Sequence, residues 1–189
     1  MAKARETRSR YKTFEFPALY DFPPFFTLQP VEGTRETQNE AWLELILAFT
    51  RHFRVYELDV AEAAATSPLF RNDAIDRKLS EGAIRELLDL LVERGQAEWS
   101  SKAKGRVTIL WRSVGEWASL IYKWADDLGK VNEVITLYNL REGEDSEGRE
   151  FYQLPEPIVL RALSHLEKQN KAVVFQGENT SATGVKFFS

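Results

Sequence analysis

The sequence contains no cysteine, only two histidines, and no apolar run near the roughly 18–20 residues that cross a bilayer. The first absence excludes disulfides, thiolate nucleophiles and cysteine-based zinc sites, and it fits a cytosolic chain. There is no glycine-rich phosphate loop, no G-x-S-x-G and no H-E-x-x-H, so the common signatures of nucleotide, acyl-transfer and zinc-hydrolase chemistry are missing. His52 and His165 lie far apart and read as surface residues rather than catalytic or metal-binding ones. Basic residues at the N-terminus are not followed by an apolar stretch, so no secretory signal is expected. No constellation points to an enzyme, and neither a cofactor nor a metal is implied.

Aromatic residues, in contrast, are abundant. Hydrophobic residues make up 43% of the chain, with twelve Phe and five Trp, enough for a packed core at 189 residues. The first thirteen residues carry Lys3, Arg5, Arg8, Arg10 and Lys12 against Glu6, the pattern of a solvated basic tail over 1–13. An arm over 14–33 follows, built around Phe22-Pro23-Pro24-Phe25-Phe26-Thr27-Leu28-Gln29-Pro30. Adjacent prolines favour extended, polyproline-like backbone, and the expectation is an extended aromatic arm without helix, aimed at another protein. Burying one phenylalanine stabilises by about 1.5–3 kcal/mol, whereas ordering a residue costs roughly 1–2 kcal/mol. Pro17, Pro23, Pro24 and Pro30 restrict the arm in advance and lower that cost.

Beyond the arm, Val31-Glu32-Gly33 reads as a turn and Thr34 as the N-cap of a helix to about Arg51. Trp42, Leu45, Ile46 and Phe49 form its apolar stripe. A short strand is expected within Val55–Val60, and Ser67-Pro68-Leu69-Phe70 reads as a turn entering a short helix. Ser80 caps the next helix, with Ile84, Leu87, Leu88 and Leu91 on one face and Gly95 as its stop. A hairpin follows, from Ala97-Glu98-Trp99 to Val107, Ile109 and Trp111.

The pattern then recurs at a displacement of 75 residues. Trp117, Leu120, Ile121 and Trp124 repeat the first stripe. Leu79, Ile84, Leu88, Leu91 and Ala97 map to Leu154, Val159, Leu163, Leu166 and Ala172, and Gly95 maps to Asn170, another residue that tolerates a left-handed cap. The predicted fold class is α+β, mainly α: two tandem winged-helix domains, 34–112 and 113–189, preceded by the extended Pro/Phe-rich N-terminal arm. The short junction at Arg112-Ser113 predicts a rigid pair.

A winged helix raises the alternative of a nucleic-acid-binding regulator. The helix that would enter the groove has Glu81, Glu86, Asp89 and Glu93 against Arg85 and Arg94, which a phosphate field disfavours. Its counterpart in the second domain is neutral. Lys102, Lys104 and Arg106 on the first hairpin are the feature in favour, but three basic residues on a hairpin tip are more often a solvated turn. With a net charge of −4, no nucleic-acid partner is expected. The acidic run from Glu142 to Glu150 lacks calcium-loop spacing and reads as a flexible, solvated loop. Pro23-Pro24-Phe25-Phe26 differs from the usual WW-domain ligand in ending with Phe rather than Tyr.

Taken together, Phe22 to Pro30, Ser67-Pro68-Leu69-Phe70, Trp111-Arg112, Glu116-Trp117, Leu120-Ile121-Tyr122, Thr136-Leu137-Tyr138, Gly143-Glu144-Asp145 and Gly184-Val185-Lys186-Phe187-Phe188 resemble the small-subunit family of the ESCRT-II complex. The resemblance runs from about residue 14 to the end, and the basic tail departs from it. It implies a non-enzymatic scaffold that helps sort ubiquitinated membrane cargo into multivesicular bodies, with indirect membrane association on endosomes. It also implies docking of the arm and first winged helix on the two larger ESCRT-II subunits, with Phe22, Pro23, Pro24, Phe25, Phe26 and Leu28 as the contact residues. The second winged helix would recruit an ESCRT-III subunit through that partner's N-terminal helix.

Overall fold

A helix that starts two residues earlier than its predicted cap organises the first half of the chain. In the computed structural model, which describes residues 13–189, helix α1 runs Glu32–His52 with Val31 as an N-cap that makes no side-chain bond. The Arg35 amide donates to the Val31 carbonyl at 2.8 Å, so the predicted turn at 31–33 is the first helical turn and Thr34 caps nothing. The basic tail expected over 1–13 lies outside the described residues except for Thr13.

The chain divides into two compact units, one ending at Trp111 and one spanning Arg112–Ser189. In the first, α1 is followed by strand β1 (Glu57–Asp59) and helix α2 (Val60–Thr66), and then by a two-residue ribbon of β2 (Arg71–Asn72) and β3 (Arg77–Lys78). The predicted short helix thus precedes Ser67-Pro68-Leu69-Phe70 instead of following it. The reason is local: Asp59 caps α2 by accepting from the Glu62 amide, and Pro68 cannot extend a helix. Helix α3 (Glu81–Glu93) comes next, then β4 (Ala97–Trp99) and β5 (Arg106–Ile109), giving an antiparallel sheet of order β1-β5-β4.

The second unit repeats this order with a 3₁₀ turn, Glu144–Ser146, in place of the two-stranded ribbon. Helix α4 (Val114–Asp127), β6 (Val134–Thr136), helix α5 (Leu137–Glu142), helix α6 (Glu156–Lys168), β7 (Ala172–Phe175) and β8 (Gly184–Phe187) follow in turn, and the strands form a sheet of order β6-β8-β7. The architecture is a mixture of helices and small antiparallel sheets. Helices α3 and α6 are each 13 residues long and lie 75 positions apart. Ile84, Leu88 and Leu91, and their counterparts Val159, Leu163 and Leu166, are all buried. Gly95 and Asn170 both adopt left-handed backbone, at φ 68° and 58°, just past their helices.

The arm is neither extended nor free. Ala18–Asp21 and Pro23–Phe26 each form a single 3₁₀ turn. Two prolines exclude an α-helix interior, but a 3₁₀ turn is short enough to accept Pro23 and Pro24 at its start, where a missing N–H loses nothing. The expectation of an arm aimed outward, rather than strapped over its own domain, is corrected on the same ground. Phe25 and Phe26 are 3% and 6% exposed, so the core of the first unit is completed by this segment. The acidic run also departs from a flexible loop: Glu144–Ser146 is a 3₁₀ turn and Ser146 is buried.

Candidate protein-interaction site

The strap over residues 13–31 is sewn onto α1 by stacked rings. Phe25 lies parallel to Trp42, with centroids 4.2 Å apart and 2° between planes, and Phe26 meets the same indole edge-on at 5.3 Å. Phe16 stacks on Tyr20 at 4.1 Å, and Tyr20 in turn meets Phe26 at 5.3 Å. Phe14 reaches Phe49 at 5.2 Å, further along the stripe of α1. Thr13 Oγ1 and His52 Nε2 are 3.0 Å apart, which puts His52 at the end of the strap.

Polar groups then set the register of the strap. Trp42 Nε1 donates to the Phe25 carbonyl at 2.9 Å. The Gln38 amide donates to the carbonyls of Pro24, Phe25 and Thr27 at 3.1, 2.8 and 2.9 Å, and its oxygen accepts from the Gln29 amide. Asn72, on the β2–β3 ribbon, donates to the Tyr20 carbonyl and to Asp21 Oδ1 at 3.0 and 2.9 Å. The Tyr20 hydroxyl donates to the Pro68 carbonyl and to that of Arg71. Burial, with smaller contributions from Asp73 and Asp21, pushes that hydroxyl above the ordinary tyrosine range, so it remains a donor at any physiological pH.

Anchoring on one side leaves an apolar face on the other. Leu19, on the first 3₁₀ turn, and Phe22, at the junction of the two turns, are 41% and 54% exposed, and Pro23 and Pro24 are exposed beside them. The six residues expected to contact a partner therefore divide. Phe22, Pro23 and Pro24 face outward, Phe25 and Phe26 are buried in their own unit, and Leu28 is half-buried. Leu19 is not among the expected residues, and neither are Gln38 and Asn72. A glutamine on the stripe of Trp42, Leu45 and Phe49 is a readable signal for Gln38; nothing in the loop sequence marks Asn72.

The basic hairpin of the first unit is tied down. Lys104 Nζ lies 2.7 Å from both Asp89 oxygens, Trp99 Nε1 donates to Asp89 Oδ1, and Arg106 pairs with Asp59. Burial opposes the charge on Asp89, but the hydrogen bonds from Lys104 and Trp99 outweigh it and hold the carboxyl below its usual range. In the second unit the acidic segment is used structurally. Trp124 Nε1 donates to the Asp145 carbonyl at 2.9 Å, Lys130 pairs with Asp145, and Phe151 packs edge-on against Trp124 at 5.6 Å. Among the described residues no three His, Asp or Glu side chains converge as a metal site, and no helix is long and apolar enough to cross a membrane.

An aromatic strap presenting exposed apolar side chains, on a chain of two small repeated units, is the class of protein that the described residues define. Comparison with known proteins gives the class a family. Residues 19–155 match the family described as ESCRT-II complex subunit. Vacuolar protein-sorting-associated protein 25 of Danio rerio is 46% identical over 176 residues, covering 93% of this chain and 99% of the relative. The crystal structure of subunit VPS25 of the endosomal trafficking complex ESCRT-II superposes with a TM-score of 0.76 at 33% identity, covering 91% of this chain and 98% of that one. The VPS22/VPS25/VPS36 crystal structure of endosomal complex ESCRT-II contains a chain matching at TM-score 0.73 and 32% identity, over 91% and 98% of the two chains. The chain belongs to the ESCRT-II complex subunit family.

Proposed function

We propose that the chain is a non-enzymatic assembly subunit of ESCRT-II in endosomal cargo sorting, with the strap and the first unit docking on the two larger subunits. The observation that carries this reading is the outward exposure of Leu19, Phe22, Pro23 and Pro24, an apolar surface on a strap held to its own unit by stacked rings and hydrogen bonds. A relative crystallised together with VPS22 and VPS36 supports those two as the partner classes. Each unit is read as a winged helix, 34–112 and 113–189, with β4–β5 and β7–β8 as the wings. The second recruits an ESCRT-III subunit through that partner's N-terminal helix, and the chain reaches membranes indirectly, through the complex.

Nucleic-acid binding is the weaker reading. Two of the three cations on its hairpin, Lys104 and Arg106, are already engaged by Asp89 and Asp59.

The decisive variant is Phe22→Asp. It removes the most exposed ring of the strap without disturbing a buried one, so the fold is retained. Affinity for the preassembled pair of larger subunits is expected to fall by about 30-fold or more, the scale of an interface hot spot. Unchanged affinity would refute the docking role of the outward face.

A further inference from the structure

Two side chains that face inward control how well that face is presented. We infer that Gln38 and Asn72 are positioning residues for partner binding, acting through the strap without touching the partner; the inference rests on the docking role proposed above.

Both are polar, buried to 7% and 5% exposure, and directed at main-chain groups of the strap. Gln38 is well suited to this. Its amide has two hydrogens, shared among three carbonyls that flank the buried Phe25-Phe26 pair, while its oxygen takes the Gln29 amide where the strap returns to α1. Asn72 holds the other end through the Tyr20 carbonyl and Asp21, with its own oxygen committed to the Ala74 amide. Phe22 lies between the two clamps, joining the two 3₁₀ turns: its amide donates to the Leu19 carbonyl and its carbonyl accepts from the Phe25 amide. Rings alone can slide against one another, since stacking tolerates offsets. Directional bonds to successive carbonyls set which residues point inward. Without them the strap samples registers in which Phe22 is not outermost, and only the fraction in the correct register can dock.

The kinetic signature is specific. Loss of a clamp lowers the competent fraction of the free chain, so association slows while dissociation, governed by contacts to the partner, changes little. Gln38→Ala and Asn72→Ala in the full chain are each expected to slow association with the preassembled larger subunits about tenfold. Amide exchange should rise at Tyr20 and Phe25–Thr27 while α3 and the β4–β5 hairpin keep their protection. Gln38→Glu, which retains size but presents a carboxylate to three carbonyls, should be at least as slow as Gln38→Ala.

Two outcomes overturn the inference. One is faster strap exchange with an unchanged association rate in both variants. The other is slower association only in step with lost protection across the whole first unit. Asn72→Ala guards against the second ambiguity, because Asn72 lies outside the helices. If Phe22→Asp leaves assembly intact, the docking reading fails. If Phe22→Asp weakens assembly and neither clamp variant does, only the positioning role fails.

Discussion

The two units place the same stripe on their first helices and close it in different ways. In the first, Trp42 and Phe49 are covered from outside the repeat by the strap that precedes α1, through Phe25, Phe26 and Phe14. In the second, Trp117 and Trp124 occupy the repeated positions, and Trp124 is covered from within by Phe151 and the Asp145 carbonyl, both between α5 and α6. The matching segment of the first unit holds the β2–β3 ribbon, whose Asn72 grips the strap instead. One hydrophobic pattern thus yields a self-closed unit and a unit that depends on a flanking segment, and the dependent one acquires an outward face from its lid. An aromatic lid of two 3₁₀ turns buries one side and necessarily shows the other.

The largest effect should come from removing the lid. Deleting residues 1–31 strips Tyr20, Phe25 and Phe26 from the first unit, each worth about 1.5–3 kcal/mol of burial. The expected result is loss of cooperative unfolding in that unit, read by amide exchange in α1 and α3, with α4 and α6 still protected. Equal loss in both units would abolish the distinction between a dependent and a self-closed unit.

The mirror experiment is Phe151→Ala, a ring 3% exposed in the second unit. It should destabilise that unit by about 3–5 kcal/mol, as for large-to-small core substitutions generally, and leave the first unit's exchange unchanged.

A smaller difference concerns pH. At the start of α4, Glu116 accepts from the Ser113 amide and hydroxyl in a capping box, while α1 has no side-chain cap. The Ser113 backbone bond, then its hydroxyl, hold the Glu116 carboxyl below its usual range. The group therefore contributes its full stability above the ordinary glutamate range and loses it as pH falls through the lowered value. Glu116→Gln should flatten the acid side of the stability profile of the second unit alone, measured by unit-resolved exchange between neutral and acid pH.

Much of this is legible in the chain. The core of both units follows from 3.6-residue spacing: Trp42, Ile46, Ile84, Leu88 and their counterparts at a displacement of 75 are buried because each helix has one apolar face to hide. Ser80 caps α3 as its chemistry requires, by accepting from the Ala83 amide. The start of α1 is harder to read because Gly33 looks like a turn residue. Inside the first helical turn it loses little, since the first amides need no intrahelical partner.

The outward residues of the strap are only half legible. Phe22 and Phe25 are chemically identical and three positions apart, yet one is 54% exposed and the other 3%. No local pattern separates them. Composition and periodicity determined the repeat, the buried helix faces, and the presence of an apolar segment outside both. Whether that segment faced a partner or its own helix was decided by tertiary structure alone. The choice depends on one indole ring, one glutamine and one asparagine, brought to the strap from residues 38, 42 and 72. Local propensity cannot encode contacts made across that separation.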